Sequence, residues 1–205
     1  MLAVCLGMLV LRVMAGFAAE GAAPTPSCTC ATARAENGWC EAHELGFVAS
    51  VEIHSRLLYD TMDAHGHVLD LTTFKCDTCK AAIATSGFCP QHRIGFVKGL
   101  AYFSRLTYEL ARGERRDIAA ISCPTCRKNA VSLGWCDKCR IGSVGPVAIH
   151  DRQAFDAVAK AVDILREANR VSESCQVCAM AIVTDTTCPW HKITYKDGKP
   201  VPPVP

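Results

Sequence analysis

Large core side chains are scarce in this sequence: Phe, Trp and Tyr together make up 7% of its 205 residues. Half of the chain is hydrophobic, so the composition is globular, but there is little with which to fill a large core. Charge of one sign is missing too. The formal net charge is +2 and no basic stripe is present, which removes the electrostatic footprint of a nucleic-acid binder. There is no phosphate-cradling glycine loop and no Ser-His-Asp arrangement on which to build an enzyme of either kind. No Cys-x2-Cys-His run occurs, which excludes covalently attached c-type haem.

Only one long apolar run exists, from Leu2 to Ala19, and Arg12 interrupts it. Small residues follow, and Gly16-Phe17-Ala18 fits a small-x-small cleavage site. We read residues 1–18 as a secretory signal peptide, although no Lys or Arg precedes the run. A membrane anchor would need about 20 clean apolar residues, so no membrane span is expected once the signal is removed. The address that follows is exported, periplasmic or extracellular. Residues 19–27, with Pro24 and Pro26, form a linker, and residues 200–205 a proline-rich tail of polyproline type.

What the chain has in abundance is cysteine. Thirteen of its 14 cysteines fall into four sets, leaving only Cys5. The sets are Cys28, Cys30, Cys40 and His43; Cys76, Cys79, Cys89 and His92; Cys123, Cys126, Cys136 and Cys139; and Cys175, Cys178, Cys188 and His191. Each offers two close pairs of ligands nine residues apart, the donor set of a tetrahedral zinc site. Disulfides consume cysteines in twos, so sets of three would each leave an orphan thiol. Histidine replaces cysteine on zinc but not in a disulfide, and it takes the last place in three sets. Four Zn²⁺ ions are therefore expected. The first set departs from the others, because one residue rather than two separates Cys28 from Cys30. A spare thiol and a lipid-modified N-terminus are the other readings of Cys28, though Thr25-Pro26-Ser27 is unlike the usual lipidation sequence. Iron and Cu(I) are the competing metals. His65 and His67, with Asp63, are candidates for a weak extra site. With thirteen thiolates, four divalent ions and Arg12 lost with the signal, the formal +2 becomes about −4.

The sets belong to a repeat of roughly 50 residues, with second ligands at 30, 79, 126 and 178. Gly46, Gly95 and Gly142 follow the last ligand by three residues. Short β-prone runs around Ala49-Ser50, Lys98-Gly99 and Gly145-Pro146 predict a hairpin. Ser55, Ser104 and Asp151 then predict helix N-caps, since their side-chain oxygens can accept bonds from free backbone N–H groups. Arg56, Arg105 and Arg152 stand four residues before Asp60, Glu109 and Asp156, which places each ion pair on one helix face. Tyr59, Tyr108 and Phe155 recur as core aromatics. Phe155, Val158, Val162 and Leu165 predict a long third helix over about 151–169. His54 and His150 recur where Phe103 stands in the second unit, which points to packing. The units are drawn at 28–70, 71–117 and 118–171, with 172–199 as a helix-free terminal cap.

Gly38-Trp39, Gly87-Phe88 and Gly134-Trp135 precede the third ligands, so each site is expected to be a β-hairpin with a ligand pair at each end. That arrangement resembles the zinc-ribbon family, most closely at Cys123-Pro124-Thr125-Cys126 with Gly134-Trp135-Cys136-Asp137-Lys138-Cys139. The resemblance implies an α+β array of four metal-stabilised zinc-ribbon hairpins, the first three each followed by a second hairpin and a helix. It implies that all sixteen residues are metal ligands. The expected function is an exported structural or protein-interaction module, with an unidentified protein partner and no nucleic acid. The alternatives are a zinc or copper buffer or carrier and, further off, a thiol-disulfide oxidoreductase. Neither a catalytic residue nor an enzymatic activity is expected.

Overall fold

The computed structural model describes residues 27–202; the proposed signal peptide, Cys5 and the last residues of the tail lie outside them. Among the described residues, seven α-helices alternate with four small antiparallel sheets. The first unit runs α1 (Cys30–Glu36), β1 (Trp39–Cys40), β2 (Leu45–Val48), β3 (Val51–Ile53) and α2 (Arg56–Met62). The second repeats the order with β4 (His67–Val68), α3 (Asp77–Thr85), β5 (Phe88–Cys89), β6 (Ile94–Val97), β7 (Leu100–Tyr102) and α4 (Arg105–Arg112). The third has β8 (Glu114–Arg115), α5 (Pro124–Val131), β9 (Gly134–Cys136), β10 (Ile141–Val144), β11 (Val147–Ile149) and α6 (Arg152–Ser172). The fourth has α7 (Gln176–Thr184), β12 (Thr194–Lys196) and β13 (Lys199–Val201).

Two expectations are corrected. The first ligand pair of each site does not lie on a hairpin strand but at or just before the start of a helix. The residues after these pairs, such as Lys80-Ala81-Ala82-Ile83-Ala84 and Ala179-Met180-Ala181, are strong helix formers, and no strand-type alternation opposes them. The fourth unit is not helix-free either. It has its own ligand-bearing helix and its own second hairpin, whose strand β13 takes in Pro200 and Val201. Only the trailing helix has no counterpart there among the described residues.

The second hairpins of the first three units form where expected, and the fourth unit adds one that was not. Ala49 and Ser50, Lys98 and Gly99, and Asp197 and Gly198 all have positive φ at the two central positions, the backbone of a tight hairpin turn. Ser55 and Asp151 cap their helices by accepting from the N–H of Leu58 at 3.1 Å and of Ala154 at 2.6 Å. Ser104 occupies the N-cap position without a side-chain bond.

The units are joined by exchanged strands and a shared core. β4, which follows the helix of the first unit, adds to the sheet of the second, with His67 opposite Ala101. β8 does the same for the third, with Glu114 opposite Ala148. Among the described residues the sheet of the first unit has no such added strand. Instead Asn169 of α6 donates from Nδ2 to the carbonyl of Glu52 at 2.9 Å and accepts from the N–H of His54 at 3.2 Å. Glu52 holds the register position that Ala101 and Ala148 hold in the other units, and Pro200 holds it in the fourth. The largest core gathers Val48, Leu58 and Met62 with Leu106 and Leu110, Val158, Val162 and Leu165, and Ala179 and Ile182. All four units contribute to it, and the apolar face of the 21-residue α6 runs through its middle.

A repeated packing unit explains the recurring Gly, aromatic and Arg residues. The ring of Tyr59, Tyr108 or Phe155 lies across Gly46, Gly95 or Gly142, on which there is no room for a side chain. It meets Trp39, Phe88 or Trp135 with ring centroids 5.3, 5.4 and 5.6 Å apart. Arg56, Arg105 and Arg152 stack on those same residues at 5.0, 4.6 and 5.0 Å while pairing with Asp60, Glu109 and Asp156. The Arg thus bridges the trailing helix and the strand that carries the third ligand. The tyrosine hydroxyls donate to the carbonyls of Asn37 and Ser86 at the end of the ligand-bearing helix.

Candidate metal centres

Each site is assembled by two local structures. The first is a helix N-terminus. Cys76, Cys123 and Cys175 are N-caps, and Cys79, Cys126 and Cys178 lie three residues on, so both sulfurs face the same way. Thiolates are favoured there, because unpaired N–H groups and the positive end of the helix dipole surround them. In the first site the helix starts late: Thr29 is the N-cap, Cys30 the first helical residue, and Cys28 precedes both. The second structure is the turn between the two strands that follow the helix. It holds Cys40 and His43, Cys89 and His92, or Cys136 and Cys139, and the residue after the last ligand has positive φ in every unit.

These two structures bring all sixteen predicted residues into four groups, and within each group the donor atoms lie within 4.8 Å of one another. The Nδ1 of His43 is 3.1 Å from Cys30 Sγ and 3.6 Å from Cys40 Sγ. His92 and His191 repeat this, at 3.3 and 3.6 Å and at 3.2 and 3.6 Å from their cysteines. In the all-cysteine site, Cys123 and Cys136 sulfurs are 3.9 Å apart. A tetrahedral ion with bonds of about 2.3 Å to sulfur and about 2.0 Å to nitrogen separates its ligands by roughly 3.5–3.8 Å, so the donor sets fit such an ion. Asp63, His65 and His67 form no comparable group. Asp63 accepts from the N–H of Phe103 at 3.1 Å and pairs with His67 at 2.7 Å, so it ties β4 and β7 together.

The sites differ in burial. Three donors are buried in the fourth, two in the second and third, and only Cys40 in the first. Cys175, Cys178 and Cys188 belong to the main core, whereas the other sites pack in small clusters of their own.

Without metal the thiols of a site cannot all ionise. Burial, and then hydrogen bonding to Cys89 and Cys136, pushes Cys79 and Cys126 up to about 12. The same causes, with Cys188 as neighbour, take Cys178 to about 11. Cys30 rises to about 12, chiefly through its hydrogen bond with Cys40 and then through burial. At least one partner per site moves the other way, and in the second site Cys76 is lowered too, chiefly by the backbone N–H of Cys79. Cys40 falls to about 5, mainly because the backbone N–H of Thr29 donates to it. Cys123 falls to about 6 beside the N–H of Cys126. Burial opposes ionisation of Cys89 and Cys188, but the N–H groups of His92 and His191 outweigh it and hold both near 6.

A metal that requires every thiol as thiolate must therefore displace at least one proton per site at neutral pH. Protons compete with the ion, so affinity rises with pH and falls as pH is lowered. Acid titration of the zinc-loaded protein, followed with a zinc-responsive dye, should release the metal with a logarithmic slope of about one proton or more per ion. Retention independent of pH would contradict these ionisation states.

Compared with protein-family models, curated proteins and solved structures, the chain matches none. Among the described residues no helix is long and apolar enough to cross a membrane. What identifies the centres is their own geometry: four recurrent Cys/His clusters able to hold metal ions.

Proposed function

We propose that this chain is an exported zinc protein in which four closed sites hold a repeat scaffold together for binding another protein, and that it is not an enzyme. The observation that carries the reading is the closure of every site by four protein donors within 4.8 Å. A catalytic zinc ordinarily keeps one position open for water or substrate. Histidine at the last position in three sites favours zinc over a rubredoxin-like iron centre. The second ligand pair on its strand turn is the half of the site that resembles a zinc ribbon, while the first pair follows a different, helical plan. Scarce aromatics and units of about 50 residues support the structural role, because such units need metal to make up their stability. The apolar leader over residues 1–18 supports export, and a loaded charge near −4 argues against nucleic acid as the partner. Metal handling is the second reading, favoured by the exposure of the first site.

The test is native mass spectrometry with elemental analysis on protein purified without added metal. Four zinc ions and no disulfides are expected. Little metal, with cysteines oxidised in pairs, would overturn the reading. Mixed or substoichiometric metal would favour the carrier.

A further inference from the structure

The four sites are not equivalent, and their differences all point the same way. In the first, Cys28 and His43 are exposed and only Cys40 is buried. Cys28 stands on the chain before α1, outside the helical turn that fixes the first cysteine of every other site. The one-residue gap puts Thr29, not a cysteine, at the N-cap, whereas Cys76, Cys123 and Cys175 are themselves the N-caps of their helices. The helix behind it is only seven residues long, against nine in the second and fourth units. The local cluster is small, with Ala33, Cys40 and Phe47 as its buried members. The fourth site is the opposite case: its three cysteines are buried in the core shared by all the units.

We propose that the first site is a metal-exchange site carried on a scaffold that the fourth site holds permanently. The proposal rests on the reading of the four clusters as zinc sites. The ion leaves by ligand substitution. A thiol of the acceptor bonds to the zinc through sulfur as the bond from zinc to Cys28 Sγ breaks, and the proton lost by the incoming thiol passes to Cys28. No electron moves, and the zinc keeps four ligands after each exchange. Cys139 of the third site is exposed as well, but it sits in the turn after β9; Cys28 is the entry point because it is exposed and also lies on the chain before α1, where no helix N–H holds it. Cys30 and His43 follow it, and Cys40, buried and bonded to the N–H of Thr29 at 3.4 Å, is the last to let go. The acceptor is therefore a molecule that offers thiolates, a cysteine-rich protein or a thiol chelator, of higher zinc affinity than this open site. A closed structural site has no need of an exposed ligand on an unanchored segment, and a site that must hand its metal over does.

The experiment uses the full-length zinc-loaded protein and a dithiol chelator in limiting amount. Native mass spectrometry counts the zinc ions remaining, and brief alkylation with peptide mapping reports which cysteines have been freed. One ion should leave about tenfold faster than the next, since the most locally mobile site opens first. Cys28, Cys30 and Cys40 should be alkylated with it, while Cys175, Cys178 and Cys188 stay protected. A companion variant, Cys28→Ser, should lose the first ion alone while keeping three tightly held ions and a cooperative thermal transition. The proposal is overturned if the four ions leave together, if another site is alkylated first, or if Cys28→Ser unfolds the chain. A protein isolated with no zinc in any site would instead remove the reading beneath it.

Discussion

Replacing Cys178 with serine is expected to abolish the cooperative thermal transition of the chain at ordinary temperatures, a loss far larger than the same change at Cys126 should cause. Cys178 is buried in the main core with Ala179 and Ile182 on its own helix and Val162 and Leu165 on α6. A structural zinc ion of this kind contributes on the order of 10 kcal/mol to folding. Total stability of a domain is about 5–15 kcal/mol, so loss of the ion removes most of it. The consequence spreads because α7 packs on α6, and α6 carries the side chains that join the other units. Cys126, by contrast, packs with Ile121, Ala130 and Cys136 in a separate cluster, and losing its ion should loosen the third unit first. Circular dichroism melting together with a zinc count checks this. A Cys178→Ser protein that melts like the wild type would show that the fourth site is not what holds the core.

Gly95→Ala and Gly142→Ala are expected to destabilise the protein by about 3 kcal/mol each, the upper range for forcing an extra carbon into a packed core. A Cβ on Gly95 would lie 2.1 Å from Cδ2 of Tyr108, and on Gly142 2.2 Å from Cδ2 of Phe155. Neither ring can swing away, since Phe88 and Trp135 back them at 5.4 and 5.6 Å. The strand carrying the second ligand pair would have to move, so zinc affinity at that site should fall as well. At Gly99 a Cβ would meet nothing within 4 Å, and only its φ of +82° resists alanine. That control should cost about 1 kcal/mol. Urea unfolding of the three variants decides the matter, and equal losses at Gly95 and Gly99 would remove the packing argument.

The four Cys/His clusters, the period of the repeat and the second hairpins of the first three units were legible because they depend on local spacing. Cysteine pairs, two-residue turns and the caps Ser55 and Asp151 announce themselves within a few residues. The helix at the first ligand pair was legible in principle from the alanine-rich runs after Cys79 and Cys178, but the Gly-aromatic pairs before the third ligands suggested a hairpin with a ligand pair at each end instead. β4 and β8 carry no such signal. Each is two residues long with both residues exposed, so no alternation of buried and exposed side chains marks them. Their pairing is set by the helix before them, which delivers the chain to a sheet edge of the next unit. The joint core is non-local in the same way: Val48, Leu110, Leu165 and Ile182 are far apart in sequence, and only α6 brings them together. The roles of Arg56, Arg105 and Arg152 were half legible. Spacing gives the ion pair, but the stacking on Trp39, Phe88 and Trp135 needs the fold.

A chain with four second hairpins has four similar outer edges, and an uncovered one is a template for the β4 or β8 of a neighbouring molecule. Two edges are occupied by the chain's own strands. At the third, Asn169 engages Glu52 and His54, so the amide of one side chain takes the place of a strand. At the fourth, Pro200 stands where the incoming strand would look for an N–H and offers none. Strand exchange between copies, a failure to which repetitive β-containing proteins are exposed, is therefore hindered at these four edges in three ways: by the chain's own strands, by a side-chain amide and by a proline.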